Sequence, residues 1–172
     1  MLKKVIKKQI NSRDCFVCGA ENKNGFKASF YEMEDKSLVT LCTAKWFHQS
    51  YPNTVHGGIS TALLDETINR AILCIEPDTF GVTVEISAKL KSPVPYDVPL
   101  IITGRITENT PKIYRGEGEI ILPDGTVAAT AFATCVKLSP ERMLMVQATD
   151  DQKVDTASAS DPTEIEIPEA LR

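Results

Sequence analysis

Apolar and polar positions change their period along this chain, and the changes mark its elements. The segments "KASFYEME" and "SLVTLCTAKW" read as two strands joined at Glu34-Asp35-Lys36. The small and amide residues of "CFVCGAENKNGF" supply turns before them. After Gly57 the period becomes helical. Leu64, Ile68, Ala71, Ile72 and Ile75 stand at i, i+4, i+7, i+8 and i+11 and form one apolar stripe. Glu76-Pro77-Asp78 ends that helix, because proline cannot continue one. "VTVEISAKLK" then alternates, with Val82, Val84, Ile86, Ala88 and Leu90 toward a core and Thr83, Glu85, Ser87 and Lys89 away from it. "PLIITGRITE" and "KIYRGEGEIIL" follow as strands. "PDG", Pro123 to Gly125, turns the second of these into "TVAATAFATCVKL" as a hairpin.

Strands, one long helix, then four tightly connected strands describe an α+β layer pair, a single helix on an antiparallel sheet. Such a sheet has two free edges, a liability that edge-to-edge dimerisation resolves. Residues 1–13 read as a basic lead-in that could form a helical turn, and residues 14–138 as the folded domain. The polar, acidic, proline-punctuated residues 139–172 read as a flexible tail.

Composition adds bounds. The chain has 172 residues, 42% of them hydrophobic, which suits one domain with a sizeable core. The net charge of −4 is uneven: residues 150–172 carry seven acids against Lys153 and Arg172, leaving residues 1–149 at +1. A near-neutral body gives no nucleic-acid footprint, though local Lys and Arg clusters can meet a phosphorylated ligand. No apolar run suited to a signal sequence follows "MLKKVIKKQINS", and no stretch suits a membrane span. The five cysteines, odd in number and scattered, fit reduced thiols in a cytoplasm.

Candidate chemistry concentrates in "TVHGGISTALLDETINRAI", Thr54 to Ile72. If the helix begins at Gly57 or Gly58, its first amides point outward with partial positive charge behind them. Glycine lets a foreign carbonyl approach, which is the construction of an oxyanion hole. Asp65 falls about 20° from Ile72 on the helical wheel, at the border of the apolar stripe. There it is a candidate for a desolvated, basic carboxylate. Glu66 falls on the outer side, where Arg70 is its expected ion-pair partner and solvent its surroundings. The same features also describe an ordinary helix entry and a helix-border acid. Cys15-x-x-Cys18 could be half of a zinc site, but no second pair or histidine stands at ligand spacing. Loop packing is the expected role, with no metal, and Cys74 is expected to be a buried small residue.

"HGGISTALLDE", with Val55 and the preceding "HQSYP", resembles the helix signature of hotdog-fold acyl-CoA thioesterases of the PaaI-like branch. "CFVCGAENKNGF", "VTVEISAKLKSPVP" and "YRGEGEIILPDGTVAATAFATCVKL" are similar to further segments of that family, in the same order, over residues 14–138. The resemblance implies a curved antiparallel sheet around one long helix, dimers that join sheets and often pair again into tetramers, and active sites at the dimer interface. It implies hydrolysis of an acyl-CoA thioester without metal or organic cofactor, CoA being part of the substrate. Gly57 would hold the thioester oxygen and His56 would shape that site. Asp65 from the other subunit would be general base or nucleophile, and Thr83 would help place the water. Gly58, Ser50 and Asn53 would line the substrate. Ser50 stands where many relatives carry Asn or Gln, with Gln49 and Asn53 out of register. Lys89, Lys91, Lys112 and Arg115 are candidate partners for CoA phosphates. The rival reading is a non-catalytic acyl-CoA-binding or sensing protein on the same fold, which would tolerate loss of Asp65. A hydratase would need a differently placed acid–histidine pair.

Overall fold

The computed structural model describes residues 1–139, 141–142 and 153–169. Its strands are β1 (Leu2–Lys8), β2 (Asn11–Ser12), β3 (Ser29–Met33), β4 (Leu38–Thr43), β5 (Gln49–Tyr51) and β6 (Thr54–Val55). The helix α1 (Gly57–Arg70) follows, tightening into a 3₁₀ turn over Ala71–Cys74. After it come β7 (Gly81–Leu90), β8 (Pro99–Asn109), β9 (Ile113–Ile121), β10 (Val127–Lys137), β11 (Lys153–Val154) and β12 (Glu164–Glu166). One eight-stranded sheet runs β12-β1-β3-β4-β8-β9-β10-β7. Every pairing in it is antiparallel.

The expected stripe builds the core. Leu64, Ile68, Ala71 and Ile72, joined by Leu63, are fully buried, and α1 packs across β4, β7, β8, β9 and β10. Three glycines let it lie close. A Cβ on Gly104 would sit 3.0 Å from the Thr67 carbonyl oxygen, and one on Gly116 2.8 Å from Ile68. One on Gly118 would sit 2.6 Å from the Thr103 carbonyl oxygen and 3.0 Å from Ile68. The buried hydroxyl of Thr67 is satisfied, donating to the Leu63 carbonyl and meeting Thr40 Oγ1 at 2.9 Å. The β9–β10 hairpin turns where expected, with Gly125 at φ 88° and its amide bonded to the Leu122 carbonyl.

Three expectations are corrected. Residues 2–8 are a strand, not a helical turn, because β1 finds backbone partners in both β3 and β12. Part of the acidic segment expected to trail as a flexible tail is folded. β11 pairs with β2 and β12 with β1, while Ile165 and Ile167 join Tyr31, Met33, Val39 and Ile121 in a second apolar cluster. That cluster lies on the sheet face opposite α1, since Phe30 and Leu38 beside those residues belong to the helix-side core. The rest of the segment, residues 140, 143–152 and 170–172, lies outside the described residues. Finally, Val82 and Val84 are not on the core face: they are 52% and 60% exposed. The cause is a bulge. Glu85 pairs with Thr134 but Thr83 with Cys135, so Val84 is an extra residue and the alternation reverses there. Leu90 keeps the side of Ile86 and Ala88, beside Gly57, and is 56% exposed at the end of β7, the last strand in the sheet order.

Candidate active site

The mouth of α1 is held by a buried imidazole that the sequence reading gave no role. His48 Nδ1 accepts the Lys45 amide at 3.0 Å, so its Nε2 donates to the Asn24 carbonyl at 2.9 Å. Its ring stacks on Phe26 with centroids 4.0 Å apart. The His48 carbonyl then accepts the His56 amide at 2.9 Å, fixing the residue that caps the helix. His56 Nδ1 accepts the Gly58 amide at 3.0 Å, and the His56 carbonyl accepts from Ile59 and Ser60. The Gly58 amide is therefore spent on the cap. The Gly57 amide has no hydrogen-bond partner among the described residues. It lies under the end of β7, where a Cβ on Gly57 would be 2.5 Å from Leu90 Cδ1.

Asp65 projects from the opposite part of the helix into a polar cluster. Its Oδ1 is buried without a hydrogen-bond partner among the described residues. Burial pushes its pKa above the ordinary aspartate value; the Thr83 hydroxyl beside it pulls the other way, and the charge of Glu66 adds to the rise. The bulge at Val84 is what turns Thr83 inward to reach it. Asn69, one turn beyond Asp65, donates to Thr83 Oγ1 at 3.2 Å and to the Gly81 carbonyl at 3.1 Å. The phenol of fully buried Tyr114 donates to Asn69 Oδ1 at 3.1 Å, and Thr83 Oγ1 lies 3.5 Å from Cys135 Sγ. Asn69, Tyr114 and Cys135 were missed from sequence. Only Asn69 left a signal there, its i+4 spacing from Asp65.

Within one chain these two features stay apart. Eight residues of α-helix separate Gly57 from Asp65 by about 12 Å, too far to act on one carbonyl. A carboxylate perturbed by desolvation beside a hydroxyl, on the same helix as an unpartnered N-terminal amide, has the parts for acyl transfer without their convergence.

Residues 52–129, which hold the helix mouth, Asp65 and Thr83, match the family model described as the thioesterase superfamily. Over those residues the chain is similar to that superfamily, and its fold is the hotdog fold. The match leaves out the Cys15–Cys18 segment. A crystal structure of another thioesterase superfamily protein is 27% identical, covering 73% of this chain and 60% of that one at a TM-score of 0.66. This chain thus spans less than two thirds of that relative's length. The E. coli PaaI protein of the phenylacetic acid degradation operon is 14% identical over 66% of this chain and 81% of its own, at TM-score 0.60. A Streptococcus mutans protein bound to acetyl CoA is 15% identical over 60% of this chain and 82% of its own, at TM-score 0.56. At those identities the last two show the hotdog fold. No curated protein matches the sequence.

Other expected site residues are not drawn in. Ser50 and Asn53 are exposed on the β5–β6 ribbon, Asn53 at φ 60° in its turn. Nothing brings them to Asp65 within the chain. Among the cations, Arg115 is paired with Glu108, and Lys89 opens with Lys3 and Arg105 onto a groove on the outer sheet face. Glu66 does pair with Arg70, at 2.7 Å, but it is not a solvated surface charge: its side chain is 28% exposed and packs toward Cys15 and Cys18. No helix among the described residues is long and apolar enough to cross a membrane.

Proposed function

We propose that the protein hydrolyses acyl-CoA thioesters at sites completed by a homodimer. The observation that carries this reading is the placement of two groups at opposite ends of one free edge strand. The Gly57 amide lies beside Leu90 at one end of β7, and Asp65 lies beside Thr83 at the other. Antiparallel pairing of β7 with a second copy of itself sets the Leu90 end of one strand against the Gly81–Thr83 end of the other. Gly57 then faces Asp65 of the partner subunit, twice per dimer. The exposed Val82, Val84 and Leu90 on that edge are apolar surface for such a joint to cover.

In that arrangement the thioester oxygen accepts the Gly57 amide, with the positive end of the helix behind it. Asp65 takes a proton from water, whose oxygen attacks the carbonyl carbon, and the charge that develops on the carbonyl oxygen is held at Gly57. Collapse of the tetrahedral adduct expels the CoA thiolate and leaves the free acid. Direct attack by the Asp65 carboxylate, followed by hydrolysis of the acyl anhydride, uses the same geometry. His56 caps the donor helix rather than touching the reacting atoms, so it acts as a positioning residue. The acetyl-CoA complex of the Streptococcus mutans protein supports a CoA ester as the substrate class.

The test is thiol release over acyl-CoAs of varied length and ring content. Asp65→Asn should lower kcat/KM about 10²–10⁴-fold. Gly57→Pro removes the amide at the first helical position, where proline suits the helix, and should cost about 10²–10³-fold. Co-expressing the two inactive chains should restore about a quarter of wild-type activity, since half the dimers are mixed and each of those holds one intact site. No recovery in verified mixed dimers sinks the shared site. Tight CoA-ester binding without turnover in the wild type would favour the sensing alternative.

A further inference from the structure

A second cluster lies on the other flank of α1 and takes no part in the proposed hydrolysis. Cys15 Sγ, Cys18 Sγ and a Glu66 carboxylate oxygen all lie within 4.8 Å of one another. The loop is shaped for this convergence. The Gly19 amide donates to the Cys15 carbonyl at 2.8 Å, closing a turn that sets both thiols on one side. Gly19 must be glycine, because a Cβ there would lie 2.3 Å from the Cys15 carbonyl oxygen. Each sulfur also receives a backbone amide: Val17 N–H points to Cys15 Sγ and Ser12 N–H to Cys18 Sγ, both at 3.4 Å. Arg70 completes the surround. Its Nη2 donates to Cys18 Sγ at 3.2 Å and its Nε to Glu66 at 2.7 Å.

We infer that Cys15, Cys18 and Glu66 form a binding site for a zinc ion that fastens the N-terminal loop to helix α1. Two soft sulfurs and a carboxylate suit zinc rather than magnesium or calcium. Tetrahedral zinc with Zn–S near 2.3 Å sets its donors about 3.5–3.8 Å apart, so the present spacing needs little contraction. Amides donating to both sulfurs, and a guanidinium orienting the third ligand, are the outer contacts such sites carry. Two thiolates, one carboxylate and the Arg70 guanidinium carry a net charge of −2, which a zinc ion cancels. On binding, any proton on either thiol is released to solvent, with no change of oxidation state. Cys15 is half-buried and gives the ion its path from solvent, while Cys18 is fully buried. A fourth position remains for water.

Sequence spacing could not show this site, since Glu66 lies far along the chain from the cysteine pair. The zinc site is independent of the hydrolysis reading, and its test is metal uptake. Reduced, chelator-stripped full-length protein should take up one zinc per chain in competition with a chromophoric chelator. Zinc at one hundred times its Kd should raise Tm by about 5–10 °C. Cobalt in its place should give the thiolate charge-transfer and strong visible bands of a tetrahedral sulfur site. Cys15→Ser, Cys18→Ser and Glu66→Gln should each weaken uptake at least tenfold, and Cys15→Ser should abolish the charge-transfer band or halve it. A variant that melts like the stripped wild type is folded, so its loss of zinc is then a loss of the site. Three outcomes overturn the inference: no stoichiometric zinc in the stripped protein, uptake unaffected in folded Cys15→Ser and Glu66→Gln chains, or a Cys15–Cys18 disulfide whose reduction brings no metal binding.

Discussion

Asp65 keeps one carboxylate oxygen buried and without a hydrogen-bond partner among the described residues, an arrangement that costs stability. Its folded-state pKa lies above the ordinary value because burial penalises the charge. The native chain therefore holds that proton to a higher pH than the unfolded chain does. Stability is lost as pH climbs from the ordinary aspartate value of 3.8 through the raised one. Two consequences follow at this residue. Asp65→Asn, which removes the charge but keeps the shape, should melt at a higher temperature than wild type at pH 7, and the gain should shrink toward pH 3.5. In the wild type, kcat/KM should rise with pH through an inflection above the usual carboxylate range, which a base requires. An Asn variant that is less stable at neutral pH, measured by thermal melts across the pH series, would mean that the carboxylate is well solvated after all. The acid and its border position were legible from helical spacing. Its buried oxygen, and the Tyr114–Asn69–Thr83 chain beside it, required neighbours from two strands and the helix.

Between elements, the decisive features are a close approach and a slip. The close approach is α1 over Gly104, Gly116 and Gly118, which leaves no room for side chains beneath Thr67 and Ile68. Gly118→Ala should cost about 1–3 kcal/mol, read as a lower urea midpoint at unchanged m, because neither the Thr103 carbonyl nor Ile68 can retreat cheaply. A neutral Gly118→Ala would show that the helix stands further off the sheet. The slip is the bulge at Val84. Strict alternation along Val82, Val84 and Ile86 reads as one apolar face, yet the extra residue sends Val82 and Val84 outward and Thr83 toward Asp65. A run of valines carries no mark of a bulge. Its position depends on which residues of β10 stand opposite, and that register is set by the whole hairpin.

At the scale of the molecule, the sheet is guarded on one side and open on the other. β12 closes the edge at β1, with Tyr31 donating to Asp161 at 2.9 Å and Lys8 pairing with the same carboxylate at 2.8 Å. Among the described residues no strand pairs with the outer edge of β7, which exposes Val82, Val84 and Leu90. Val84→Lys should place like charges across the proposed two-fold joint at that edge. The variant should run as a smaller species in light scattering and lose thioester hydrolysis together with its assembly, while far-ultraviolet dichroism stays unchanged. An active monomer would contradict the shared site directly.

The succession of β3, β4, β7, β8, β9 and β10 along the chain, the single helix with its stripe at Leu64 and Ile68, and the PDG turn follow from sequence alone. Each depends on residues within a few positions of one another, where periodicity and turn preference act. Tertiary structure decided the rest: which face Thr83 shows, which amide at the helix mouth is already spent, that Glu66 meets Cys15 and Cys18, and that Ile165 returns to cover the sheet. Those outcomes depend on pairing between distant segments, and the free energy that selects them comes from burial and hydrogen bonding that no short stretch can supply.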